Sequence, residues 1–128
     1  FPNIHYHQPV EPRELIKYTS SADIGIHMMN FSCVNHLHAL PNKVMEYMNA
    51  GLPVLASNLP EMSKLIEKAR SGWILKTYNI HELKRYVLKI NRAKIFKKSL
   101  NSTKWMRNNN WELEQLKLIG IYKKLGFI

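Results

Sequence analysis

Hydrophobic positions along this chain fall into short blocks, some repeating at every second residue and others at every third or fourth. Ile4-His5-Tyr6-His7 alternates and carries β-favouring residues, which predicts a strand. Glu11-Pro12 then opens a helix to about Ser20, because proline fits a first helical position and Leu15, Ile16 and Tyr18 supply apolar contacts. Ile24 to Met28 is the next strand, followed by an irregular segment from Asn30 to Leu40 that holds Asn35, His36 and His38. Pro41 occupies the first position of a short helix that Gly51 ends, with Pro53 just beyond. Val54-Leu55-Ala56 reads as a fully apolar strand, and Pro60 opens a helix with Met62, Leu65, Ile66 and Ala69 on one face. Gly72-Trp73-Ile74-Leu75 is a last strand. Asn79 caps a helix whose Ile80, Leu83, Val87 and Ile90 keep helical spacing. Two further helical segments, roughly Ala93 to Asn108 and Glu112 to Leu125, divide near Asn108-Asn109-Asn110.

Strand and helix thus alternate to residue 90 with short connections. That order predicts an α/β fold: an open, Rossmann-like, doubly wound parallel sheet of four strands, with helices on both faces and helices at the end. Ligands of such sheets lie at the carboxyl ends of the strands, beside helix N-termini. The segment from Asn30 to Asn42, between strand and helix, lies at that edge.

Composition narrows the class. Apolar residues make up 45% and charged residues 22% of 128 residues, which suits one folded domain and not a disordered chain. No apolar run approaches the roughly 20 residues of a membrane span, and no signal-peptide layout is seen at the N-terminus. Cys33 is the only cysteine, so an internal disulfide is excluded and a reducing compartment is expected. The chain starts at Phe1 without an initiator Met and reads as a piece of something longer. The net charge is +10, concentrated from Lys84 to Lys104, where eight Lys or Arg occur without an acid. This stretch is either a solvated basic face or a patch for an anionic partner.

The chemistry gathers in PNKVMEYMNAGLPVLAS, Pro41 to Ser57. A helix start presents unpaired N–H groups and the positive end of the dipole, so Asn42, Lys43 and Val44 offer amides to an anion. Asn42, Lys43 and Glu46 share one helical face, while Val44, Tyr47 and Met48 form the opposite one. Glu46 is then either an ordinary surface residue paired with Lys43 or a ligand to a hydroxyl-bearing ring one turn from a bound phosphate. A nucleoside diphosphate has that outline.

The phrase ALPNKVMEYMNAGLPVLASNLPEM, with GWIL after it, resembles the donor-nucleotide half of family-four GT-B glycosyltransferases, the glycosyl transferases group 1. Glu46, Met48, Ala50, Gly51, Pro53, Val54, Ala56, Ser57, Pro60 and Glu61 fall in step with the family's phrase. Upstream, HQPVEPRELIKYTSSADIGI resembles the family's preceding strand, helix and Ala-Asp strand, and TKWMRNNNWELEQLKLIGIYKKL resembles its closing helices. The resemblance implies that residues 1–128 are part of a C-terminal nucleotide-sugar-binding domain, with its first strands and the acceptor-binding N-terminal domain absent. It implies a retaining, metal-independent transfer from a nucleotide-diphosphate sugar, which is substrate and not cofactor, to a glycan or lipid-linked acceptor, in surface polysaccharide biosynthesis. Glu46 would bind the ribose, Asn42, Lys43 and Val44 the diphosphate, and Pro9 and Val10 would line the base. The family usually carries a second Glu eight residues before Glu46; here His38 stands there, in the vicinity of the donor sugar. No catalytic residue is assigned. Without the acceptor half, this chain by itself is expected to be inactive. The implied location is cytoplasmic, with an anionic membrane at its inner face as a further partner.

Other chemistries have less support. His5 and His7, and His36 and His38, are spaced for a metal, yet zinc wants three or four ligands and only Cys33 is near, so no metal site is expected. The rival of another class is a basic module that binds nucleic acid or an anionic membrane without catalysis. Trp105, Trp111 and Tyr122 lie amid Lys and Arg and would make its stacking platform. The helical spacing of Leu118, Ile121, Tyr122 and Leu125 predicts instead that these aromatics are core, so no specific nucleic acid is expected.

Overall fold

Three parallel strands form the centre of the computed structural model, which describes residues 2–77 and 79–127. They are β1 (Gly25–His27), β2 (Val54–Ser57) and β3 (Gly72–Leu75), in the order β1-β2-β3. Gly25 pairs with Val54 and Val54 with Gly72, and the register runs forward to Ser57 opposite Leu75. A 3-10 turn (Pro12–Glu14) and α1 (Leu15–Thr19) precede β1. Between β1 and β2 lie α2 (Val34–Leu37) and α3 (Asn42–Asn49), and α4 (Pro60–Ala69) connects β2 to β3. The chain then continues through α5 (Ile80–Lys89), α6 (Arg92–Asn108) and α7 (Trp111–Lys124). The α/β class and the parallel, open sheet agree with the sequence pattern.

One expected strand does not form. Ile4 to His7 is exposed and pairs with nothing among the described residues, so the sheet has three strands and not four. Alternation provides a face to bury, but a strand also needs a neighbour to take its N–H and C=O groups.

β2 is buried at all four positions, as a central parallel strand covered on both faces should be. Val54 and Ala56 point to one face, where they join Val44 and Met48 of α3 and Met62, Ile66 and Ala69 of α4 in a single cluster. Leu55 and Leu75 are buried on the other face, and α5 packs against β3. Each of these large side chains contributes about 1.5–3 kcal/mol by leaving water. α6 closes the first face through α3: the hydroxyls of Ser99 and Ser102 donate to the carbonyls of Gly51 and Leu52, and Trp105 and Met106 pack on the cluster.

The termini of the helices follow local rules. Asn79, Asn91 and Asn110 each accept the N–H three residues on, at 2.8 to 3.0 Å, and so cap α5, α6 and α7. Gly51, at φ +79, ends α3: its N–H donates to Met48 and that of Leu52 to Tyr47. Arg70 does the same for α4 at φ +54, a conformation where glycine is usual. Pro41 is the N-cap of α3 and not its first helical residue, because its ψ of 138° is extended.

α7 departs most from expectation. Leu118, Ile121, Tyr122 and Leu125 are exposed, as is Trp111, and no residue of this helix is buried. Its apolar residues are spread around the helix, so no single face is committed to the core.

Candidate functional site

The seat of α3 is set by its apolar side. Val44 and Met48 are fully buried on the sheet, and the Tyr47 ring lies directly over Gly25 of β1. A Cβ on Gly25 would stand 2.3 Å from Tyr47 Cγ, so only glycine lets the helix come this close. Tyr47 also donates its hydroxyl to the carbonyl of Ile26, at a long 3.4 Å. This packing puts the start of α3 at the carboxyl edge of the strands.

Asn42 and Lys43 are exposed on the outer side and Glu46 is half-buried. At the helix start no side chain caps the amides. The N–H of Val44 donates to the carbonyl of Pro41 at 3.0 Å, so Val44 does not offer a free amide as its position in the sequence suggested. The amides of Asn42 and Lys43 have no acceptor among the described residues. Such groups, at the positive end of the helix dipole, favour an anion. Ion pairs among the described residues are Glu14–Lys17, Glu82–Arg85 and Glu114–Lys117. Lys43 and Glu46 do not pair.

The structure adds a residue that sequence reasoning missed. His27 ends β1 on the face of Gly25 and Ala56, toward α3, and its Nε2 is buried without a hydrogen-bond partner. Burial, and then the charge of Lys43, push its imidazole below the ordinary value of 6.5, and both favour the neutral ring. The signal was a histidine at the end of the apolar strand Gly25-Ile26-His27, on the core-facing alternation.

The segment after β1 is tied to the same edge. Met29 N–H donates to the hydroxyl of Ser57 at 2.8 Å. Nδ1 of His36 meets the Ser32 hydroxyl at 2.9 Å and the Asn30 carbonyl at 3.2 Å. His38 is exposed, ends α2 and returns its N–H to Val34. The fold therefore brings His27, Lys43, Asn42 and Glu46 to one edge, with His38 three residues before Pro41. Pro9 is exposed and Val10 half-buried. They lead into the Pro12–Glu14 turn and α1, which packs against α3, and no hydrogen bond links them to α3 among the described residues. No three His, Cys, Asp or Glu side chains converge among the described residues.

Residues 2–105 match the family model described as Glycosyl transferases group 1. This chain belongs to that family. The match takes in the whole site and ends within α6, so α7 lies outside it. Among curated proteins, the chain is 38% identical over 64 residues to a putative teichuronic acid biosynthesis glycosyltransferase, TuaH, of Bacillus subtilis (strain 168). That similarity covers 50% of this chain and 16% of the relative's length. No solved structure matches. Among group 1 glycosyltransferases, then, this chain presents an α/β unit whose carboxyl edge carries an open helix start and an unpaired glutamate.

Proposed function

We propose that this chain is the donor-nucleotide-binding part of a retaining, family-four GT-B glycosyltransferase acting in surface polysaccharide biosynthesis. The observation that carries this reading is the unpaired Glu46 carboxylate one turn along α3 from the unpaired amides of Asn42 and Lys43. Three to four residues of helix span about 5 Å, the distance from a pyrophosphate to the ribose that follows it. The amides and the Lys43 ammonium hold the diphosphate, and Glu46 accepts the ribose hydroxyls. As the glycosidic bond loosens, negative charge grows on the diphosphate, and the same groups stabilise that leaving group without a metal ion. His38 stands on the sugar side and Pro9-Val10 on the base side. A glycan or lipid-linked acceptor binds residues outside this chain. The family supports the transferase reading, and the relative's name supports the polysaccharide setting.

Titration with a panel of nucleoside diphosphates tests it. Hydrogen bonds to a charged group contribute about 1.5–3 kcal/mol each, so Glu46→Gln should weaken binding at least tenfold. The same variant should melt within about 0.5 kcal/mol of wild type, because the side chain is half-exposed and makes no ion pair. Lys43→Gln should lower affinity without changing preference for ribose over deoxyribose, whereas Glu46→Gln should erase that preference. Equal affinity in wild type and Glu46→Gln refutes the site.

A further inference from the structure

We propose that the outward face of α6 is a docking surface for a bilayer containing anionic lipids. The inward face of this helix is fixed by the bonds of Ser99 and Ser102 to Gly51 and Leu52, and by Trp105 and Met106 packed against the core. The opposite direction therefore presents Ala93, Phe96, Lys97, Leu100, Lys104 and Arg107, all exposed, at the spacing of one helical stripe. Phe96 is 66% and Leu100 55% exposed, one turn apart, and the cations stand on either side of them. No ion pair involves this helix among the described residues, and it contains no acid.

The neighbouring cations extend the field. Lys94, Lys97 and Lys98 line a cavity of about 670 Å³ together with Arg70, Trp73 and Asn101, where Glu67 is the single acid. Lys98 is already committed inward: it donates to the carbonyl of Gly72 and lies 5.0 Å from the centre of the Trp73 ring. Lys94 donates to the carbonyl of Lys89. Lys97, Lys104 and Arg107 have no such bond among the described residues and are exposed.

Apolar tips between cations fit a surface that has an anionic plane above hydrocarbon. They fit a nucleic acid less well. A single-strand platform needs several open aromatic faces, but of the two aromatics of α6 only Phe96 is open: Trp105 lies against Lys68 at 5.5 Å, the neighbouring Trp73 lies against Lys98, and the exposed Trp111 and Tyr122 belong to α7. Charge complementarity and the two protruding side chains commit the surface to lipid. This inference stands apart from the donor site, since α6 contributes no residue to it.

Co-sedimentation with phosphatidylcholine vesicles, with and without phosphatidylglycerol, tests the surface. Binding is expected only with phosphatidylglycerol and should fall as salt rises. Each cation removed from the surface should cost about fivefold, so Lys97→Gln with Lys104→Gln should lower partitioning on the order of 25-fold. Phe96→Ser with Leu100→Ser should abolish the binding that persists at high salt. Lys123→Gln with Lys124→Gln, which removes the same charge from α7, should leave partitioning unchanged. Melting curves establish that each variant is folded, which these exposed positions favour. Equal binding to neutral vesicles, equal losses in the α6 and α7 pairs, or displacement of vesicles by a random oligonucleotide would overturn the proposal.

Discussion

Gly25→Ala is the substitution whose effect the structure specifies best. The new Cβ would lie 2.3 Å from Tyr47 Cγ, 2.4 Å from Cδ2 and 2.7 Å from Cβ. Carbon atoms in contact sit about 3.5–4.0 Å apart, so more than an ångström must be recovered. Rotation of the ring cannot recover it, because the Tyr47 Cβ is itself too close and is fixed to the helix backbone. α3 must therefore move off β1, taking Val44 and Met48 partly out of a cluster that has no slack. Overpacking of this kind costs about 1–3 kcal/mol, and for a domain of this size that is roughly 4–12 °C in melting temperature. The displaced helix also carries Asn42, Lys43 and Glu46 away from His27, so under the donor-site reading nucleoside diphosphate affinity should fall as well. Circular-dichroism melting of wild type, Gly25→Ala, Tyr47→Ala and the double variant separates the terms. With the ring gone, the two closest contacts disappear and only the one to the Cβ of residue 47, at 2.7 Å, remains, so the double variant should lose less than the sum of the single losses, by about 0.5–3 kcal/mol. Wild-type melting in Gly25→Ala, or losses that simply add, would refute the contact and with it the seating of α3.

Two further outcomes follow from single side chains. The folded-state pKa of His27 lies below its unfolded value of 6.5. Its contribution to stability is therefore complete above about pH 6.5 and is lost as pH falls from there through the folded pKa, because the unfolded chain binds the proton more readily. Melting temperatures measured from about pH 7.5 down to pH 5 should drop less in His27→Leu than in wild type, and parallel curves would refute the burial. Arg70 holds the left-handed position at the end of α4. Arg70→Gly should be about 1 kcal/mol more stable than Arg70→Ala, which keeps the side-chain clash, and equal melting of the two would place the helix end elsewhere.

Most elements between Pro41 and Leu75 were legible because proline, glycine and asparagine punctuate them and an apolar run lies between. β3 falls on the same four residues by pattern and by structure. The pattern fails where it says only that a face is available. Ile4 to His7 alternates, but no neighbour pairs with it among the described residues, and α7 has apolar residues at helical spacing none of which is buried. At the site, the shared face of Asn42, Lys43 and Glu46 follows from spacing alone. The use of the Val44 amide by Pro41, and the position of His27 under α3, depend on how backbone segments meet and could not be read along the chain. Glu82 is an intermediate case. The pattern Asn79-x-x-Glu82 is a helix-start signature, yet its buried carboxylate accepts from Thr77 and Lys76 beyond the cap. The hydrogen bonds from Thr77 hold that acid below its ordinary range.

The polar side chains inside the fold single out the carboxyl edge of β1 in a second way. Buried Ser57 accepts from Met29, Ser63 donates to Asn58, Ser71 to Met48 and Ser102 to Leu52, and Glu82 takes three donors. Among the described residues, Nε2 of His27 alone is a buried side-chain nitrogen or oxygen with no partner. Leaving such a group unsatisfied costs about 1–3 kcal/mol, a cost the other buried side chains avoid. Lys43 deepens the conflict, since its charge opposes protonation of the ring. An anion at the start of α3 would reverse the sign of that local field, offset Lys43 and raise the proton affinity of His27. Under the donor-site reading, diphosphate binding and proton uptake are therefore coupled, and each should strengthen the other as pH falls. Among the described residues, buried polar side chains are satisfied elsewhere and not at the carboxyl edge of β1, and under the donor-site reading that local inconsistency falls where the ligand meets the chain.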